Sequence, residues 1–364
     1  MNILTRLKTN KLLVLALIFA FLNMGAIFSI FGFQKYSDTA DYVKVIHWFQ
    51  GENTEVSPER ILRPLGSLIA APFEFLGEGA GLIVQNIIFY LLCAFLIFKI
   101  VHLIYHNKKQ ALLASVFFVT ATSVLEVGLA YLTDMGAWFF YLLSIFLTLL
   151  YFKNKDDKLI VLNGFLSGFG FIMKENGGLG ILFFILMILL AKEFNIKEKI
   201  FKMAHFAVPF LVPFVALQIF MYRYFQFTSF DWFFLQMSGG YNEEGPLLTF
   251  FRYLGQFFRT MGILWIFLFI GAFRELREKN WERIKIFLAL LPASFSFLLW
   301  PTGGGGRVVF IFAPLGILLA TYGCKKIRPA ILVLIILGIL IVNYTFVWFN
   351  QSIPFTDIIY RLLF

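Results

Sequence analysis

Asp38 and Asp41, in YSDTADYVKV, stand three residues apart just after the first long apolar run. Glu126 and Asp134 bracket a short turn in EVGLAYLTDMG. Lys174 and Glu175 lie in FGFIMKENGG, and Arg307 follows four glycines in WPTGGGGRVVF. A carboxylate can take the proton of a hydroxyl nucleophile. Lys holds a phosphate as a point charge and Arg as a planar fork. A glycine-rich loop lets backbone N–H groups reach phosphate oxygens. Together these types suit transfer of a group from a lipid phosphate to a hydroxyl acceptor. The phosphate leaves as a stable anion, so cations can stabilise it without an obligatory cofactor. A divalent metal is compatible with this chemistry, but no His or Cys spacing supports one.

Each residue also has a plainer role. Asp38 with Asp41 could cap a helix, and Asp134 could cap the apolar run that follows it. Lys174 and Glu175 could form an interfacial ion pair worth little. Arg307 could snorkel to the headgroups. Glu126 needs no such cap, and its plain reading is a partner on another helix. The conjunction matters more than any single residue, because all of them fall on one face of a membrane.

That face follows from the apolar runs. Of 364 residues, 60% are hydrophobic and 14% charged, far from the balance of a soluble domain. Runs near 18 residues recur and predict an all-α polytopic membrane protein with about eleven spans. They fall at 11–33, 80–104, 110–131, 134–152, 159–173, 177–191, 205–225, 256–273, 285–301, 308–323 and 329–349. With the N-terminus inside, the inner loops hold 21 of the 31 Lys and Arg but seven of the 21 acids. Basic clusters then occupy every second loop, as the positive-inside rule requires. The first span reads as retained rather than as a cleaved signal peptide. The net charge of +10 is therefore membrane topology and not a nucleic-acid footprint. Cys93 and Cys324 lie far apart and predict no disulfide framework.

The chain reads as one transmembrane domain, 1–364, with two long outer loops, 34–79 and 226–255. In the first, Tyr42, Val43, Ile46 and Phe49 share one helical stripe and predict an interfacial helix over 39–49. A second interfacial helix is expected from Ser57 and Pro58, interrupted by Pro64 and Pro72.

The order and sidedness of these pieces resemble the GT-C superfamily of membrane glycosyltransferases. The similarity is to bacterial relatives of the protein O-mannosyltransferases, the aminoarabinose transferases and the Rgt-type lipopolysaccharide transferases. It rests on SDTADY after the first span, RILRPLGSLIAAP in the first loop and YLTDMG in a short outer turn. GFLSGFGFIMKENG and GGRVVFIFAPLG complete it, so most of residues 1–325 is covered. The resemblance implies a polyprenyl-phosphate-linked sugar donor. It implies inverting transfer to a lipid, glycan or protein hydroxyl outside the cytoplasmic (inner) membrane. It makes Asp38 the general base, with Asp41 as second choice and Tyr42 four residues beyond Asp38. Asp134 would support the site or orient the acceptor, with Glu126 and Glu175 in support. Lys174 and Arg307 would grip the donor phosphate, with Arg60 and Arg63 as weaker phosphate or acceptor contacts. The chain is expected to depart from larger relatives in carrying no soluble C-terminal domain. It also lacks the Asp-Glu pair of the protein mannosyltransferases, since Thr39 follows Asp38.

The main rival is a flippase or transporter, whose charges would lie near the midplane with a repeated half. A polysaccharide polymerase or ligase would carry its charges in a larger late loop. The threading has a direct test. A cysteine introduced at Asn242 is expected to react with an impermeant reagent in intact cells, and protection there would reverse the topology.

Overall fold

The computed structural model describes residues 11–238, 245–299 and 306–352. Residues 239–244 of SGGYNEEGP, residues 303–305 of the glycine run, Arg6, Lys8 and residues 353–364 lie outside the described residues. Among the described residues all regular structure is helical. The order is α1 (Lys11–Phe31), α2 (Thr39–Phe49), α3 (Pro58–Ile61), α4 (Pro64–Ala70), α5 (Ala80–Tyr105), α6 (Lys108–Val119) and α7 (Thr122–Val127). Next come α8 (Asp134–Asn154), α9 (Lys158–Met173), α10 (Gly180–Leu190), α11 (Ile196–Phe225), α12 (Ser229–Ser238) and α13 (Gly245–Met261). The chain continues with α14 (Leu264–Glu278), α15 (Trp281–Phe295), α16 (Gly306–Val309), α17 (Ala313–Gly323) and α18 (Pro329–Ser352). Tight 3-10 turns at Ala71–Leu76, Glu175–Leu179 and Phe310–Phe312 join neighbouring pieces.

Five of these helices, α1, α5, α8, α11 and α18, are long and apolar enough to cross a membrane. A sixth span results if the pair α13 and α14, bent by 84°, counts as one. The expected tally of eleven differs because several apolar runs are short or broken. The run expected at 110–131 stops at Val119. There the freed carbonyls are taken by side chains of other helices: Asn23 donates to Val119 O at 2.9 Å and Asn343 to Thr120 O at 2.7 Å. A helix end without water needs such partners. The run expected at 256–273 bends at Gly262, between α13 and α14. The run expected at 205–225 instead begins at Ile196. Its start is a capping box in which Asn195 and Glu198 bond each other's backbone N–H at 2.9 and 2.8 Å.

A helix over 39–49 forms as α2, and it buries more than one stripe. Tyr42, Val43, Val45 and Ile46 are all buried against protein. The second expected interfacial helix is not continuous. It is three short pieces, α3, α4 and the turn Ala71–Leu76, each carrying a proline in its first turn. Pro64 and Pro72 supply no N–H to a preceding turn, so each restarts the helix.

Small residues set the closest helix approaches, as in other membrane packings. In GFLSGFG, a Cβ on Gly164 would sit 2.2 Å from Phe206 O of α11, and one on Gly168 2.5 Å from Phe210 O. A Cβ on Gly271 of α14 would sit 1.8 Å from Leu319 O of α17. Gly271→Ala is therefore expected to cost about 1–3 kcal/mol by overpacking. Gly25→Ala meets nothing within 4 Å and should stay within about 0.5 kcal/mol of the parent. Denaturation in detergent checks both, and equal stability of the two variants would contradict this packing.

Candidate functional site

Four segments distant in sequence meet at the end of the bundle where α1 stops and α8 starts. The first, residues 34–38, is stitched to the turn before α8. Tyr131 N donates to Gln34 O at 3.1 Å, Thr39 Oγ1 donates to Tyr131 O at 3.2 Å and Tyr36 Oη donates to Glu126 O at 3.1 Å. The turn itself hangs on buried Asn86, whose amide donates to Ala130 O and Leu132 O, both at 2.7 Å. Asp38 and Asp134 are thereby held at fixed places on two neighbouring segments.

Neither carboxylate caps its helix. Asp38 is the residue before α2 and makes no side-chain bond to its backbone, and no side chain caps the start of α8. Both reach for cations instead. Arg307 donates from Nη1 to Asp38 Oδ2 at 3.0 Å and from Nη2 to Asp134 Oδ2 at 3.0 Å. Lys174 Nζ donates to Asp134 Oδ1 at 2.5 Å. Arg60 Nη2 donates to Asp38 Oδ1 at 3.1 Å, and its Nε pairs with Asp41 Oδ2 at 3.1 Å. The chain Asp41–Arg60–Asp38–Arg307–Asp134–Lys174 is continuous. Its inner end is dry: the side chain of Asp134 is 1% exposed and that of Lys174 10%.

Lys174 is delivered by a hairpin of small residues. It is extended (φ −172°, ψ 146°) between α9 and the turn Glu175–Leu179. Gly170 and Gly177 lie back to back across this hairpin, where a Cβ on either would sit 2.5 or 2.4 Å from the other's carbonyl oxygen. The neighbouring Glu175 pairs with Arg63 Nε at 2.8 Å, and Arg63 also stacks on Trp232 at 5.1 Å. Tyr42 is fully buried; its hydroxyl accepts from Thr133 Oγ1 at 3.3 Å, and its ring lies 5.8 Å from the Arg60 guanidinium. Glu126 pairs with Arg259 at 2.9 Å and reaches the cluster through Tyr36.

Every candidate residue drawn from the sequence thus has a place here. Asp38, Asp41, Asp134, Lys174, Arg60 and Arg307 share one network. Arg63 with Glu175 and Tyr42 flank it, and Glu126 stands behind it. Sequence reasoning missed Arg259, Asn86 and Tyr36. Arg259 had a signal, being the one Lys or Arg inside the expected run 256–273, and an intramembrane ion is a site by default. Asn86 in an apolar helix carries the same kind of signal.

Burial raises the Asp38 carboxyl, but the Arg307 and Arg60 charges outweigh it and hold the group below the usual carboxylate range. Asp38 is therefore an anion at neutral pH. A cleft of about 410 Å³ lined by Asp41, Lys44, Glu55, Ser57 and Arg60 opens beside this pair. Among the described residues no group of three or more His, Cys, Asp or Glu is disposed to hold a metal ion.

Two expectations follow from this geometry. Losing Lys174 leaves Asp134 with Arg307 as its remaining cation and the buried cluster one positive charge short; breaking an isolated buried pair costs about 3–5 kcal/mol. Lys174→Met should therefore destabilise strongly, and adding Asp134→Asn should recover much of the loss; a stable single variant would show the pair to be solvated. The lowered Asp38 pKa contributes stability fully above the unfolded carboxylate value near 4, lost as pH falls through the folded value. The stability gap between the parent and Asp38→Asn should stay constant from pH 5 to 8 and shrink as pH falls below the unfolded carboxylate value near 4.

Residues 64–221 match the family model of dolichyl-phosphate-mannose-protein mannosyltransferases. That stretch includes Asp134 and Lys174 and excludes Asp38 and Arg307. No curated protein matches the sequence. Among solved structures the chain is similar to the archaeal oligosaccharyltransferase AglB from Archaeoglobus fulgidus, in complex with an inhibitory peptide and a dolichol-phosphate. The TM-score is 0.60 at 12% identity, over 96% of this chain and 56% of that one. The likeness is one of fold, and the chain spans little more than half the length of that relative. Both findings support the GT-C membrane glycosyltransferase resemblance drawn from the order of the motifs.

Proposed function

From the GT-C fold and the mannosyltransferase family match, we propose that the chain is an inverting glycosyltransferase. It moves a sugar from a polyprenyl-phosphate-linked donor to a hydroxyl of a lipid, glycan or protein on the outer face of the cytoplasmic membrane. The observation that carries this reading is the Arg307 fork, which bonds Asp38 with one nitrogen and Asp134 with another while Lys174 holds the far oxygen of Asp134. Two cations and a candidate base therefore stand within one side chain of each other.

Asp38 takes the acceptor's hydroxyl proton as that oxygen attacks the anomeric carbon. The bond from this carbon to the phosphate oxygen breaks on the opposite face, and the lipid phosphate leaves with the electron pair. Arg307 and Lys174 stabilise the charge that gathers on the phosphate, in a setting where water is largely excluded. Asp134 orients both cations and does not touch the acceptor. Asp41 and Arg60 set the position of Asp38 from the other side. The dolichol-phosphate of the similar structure and the dolichyl-phosphate-mannose of the matched family support a lipid-phosphate donor.

Without donor, Asp38 is engaged by two guanidinium groups and is a weak base. A donor phosphate competes for Arg307, and each contact it draws off returns basicity to Asp38. Base strength is then coupled to occupancy of the phosphate site.

Asp38→Asn is expected to lower kcat for sugar transfer by about 10²–10⁴ with the fold retained; near-normal turnover would remove the base. Lys174→Gln and Arg307→Gln should raise the donor KM more than the acceptor KM, and the reverse ranking would contradict the phosphate assignment.

A further inference from the structure

The cytoplasm-facing end of the expected topology carries a second cationic site, remote from Asp38 and independent of the reading above. α14 and α17 close on each other through Gly271 and Gly323, where added Cβ atoms would sit 1.8 and 2.0 Å from the carbonyl oxygens of Leu319 and Phe267. This approach brings the C-terminal end of α14 beside the stretch Lys325 and Lys326. Between them opens a cleft of about 820 Å³, lined by Phe269, Ile270, Phe273 and the cations Arg274, Arg277, Lys325 and Lys326, with Glu278 the one acid.

The cations are not equivalent. Arg274 donates from Nη1 to Gly323 O at 2.5 Å, which fixes it against α17. Lys325 lies 3.8 Å from Glu278, and Arg283 takes the other oxygen of that carboxylate at 2.6 Å. Arg277 and Lys326 are exposed and have no ion-pair partner among the described residues. Immediately along the helix, Phe269 and Phe273, one turn apart, are 61% and 67% exposed. The cleft is thus amphiphilic: two uncommitted cations at the head, and an apolar strip leading away from them along α14.

We propose that this cleft binds an anionic phospholipid, with the phosphate held by Arg277 and Lys326 and an acyl chain laid along Phe269 and Phe273. Four cations against one carboxylate cannot be neutralised from within the cleft, and a free ion would leave the aromatic strip uncovered. A juxtamembrane cation attracts an anionic lipid with about 1 kcal/mol, or about fivefold in occupancy. The site lies on the two helices that pack through Gly271 and Gly323, so an occupying lipid ties them together.

The test uses the full chain in nanodiscs of equal phosphatidylglycerol and phosphatidylcholine, with retained lipids counted by native mass spectrometry after mild detergent. Phosphatidylglycerol should be retained over phosphatidylcholine. That preference should fall about fivefold in Lys326→Gln and further in Arg277→Gln/Lys326→Gln. Lys109→Gln, an exposed cation that does not line the cleft, should leave it unchanged. Millimolar inorganic phosphate should fail to displace the lipid. Equal retention of the two lipids, a preference untouched by the double variant, or displacement by phosphate alone would overturn the proposal. So would retention of a polyprenyl phosphate in place of the phospholipid. Should the double variant melt earlier than the parent, the single Lys326→Gln variant decides.

Discussion

The site depends on one guanidinium. Arg307 spans two carboxylates that lie 269 and 173 residues from it in sequence. Taking these charges out of water costs several kcal/mol per ion, and attraction repays it only where geometry is good and the remaining donors are used. The structure meets that condition with bonds of 3.0 Å to each carboxylate, with Lys174 on the far oxygen of Asp134 and Arg60 on the far oxygen of Asp38. The order of the helices follows from this requirement. α1 must end, α8 must begin, the hairpin after α9 must turn and α16 must enter, all within reach of one Arg side chain.

Such a network is a poor source of stability and a good means of position. A hydrophobic cluster of equal volume would hold the helix ends as well, without the desolvation cost. What it would not provide is a carboxylate and two cations held at fixed separations before any ligand arrives. Preorganised charge acts most strongly where solvent is excluded, because no reorganisation is needed as the reaction proceeds. The continuous alternation from Asp41 to Lys174 also means that one ligand cannot engage Arg307 without changing the environment of both carboxylates.

Much of this was legible in the sequence, and what was not has a physical reason. Sidedness came from Lys and Arg placement, and it grouped Asp38, Asp134, Lys174 and Arg307 at one end. The choice between capping and pairing was not legible. D-x-x-D before a helix is what a cap looks like, and only a partner on another segment reveals that the side chain turns away. That the glycines of GFLSGFG and KENGG let segments pack backbone against backbone was not read from the sequence either. Two expectations failed at breaks. Thr120 ends α6 because Asn23 and Asn343, from helices far along the chain, accept the task of satisfying freed carbonyls. The bend at Gly262 accompanies Arg259, which leaves the expected span to meet Glu126. Local periodicity carries no information about partners that distant.

The central claim is that Arg307 and Lys174 are a phosphate site held closed by Asp38 and Asp134. The most direct measurement is an experimental structure of the chain with a short-chain polyprenyl phosphate. The account predicts phosphate oxygens within hydrogen-bond distance, about 2.7–3.2 Å, of both cations, and an Arg307 fork no longer shared with Asp38. A phosphate seated elsewhere, with the Asp38–Arg307–Asp134 bridge unchanged, would contradict it.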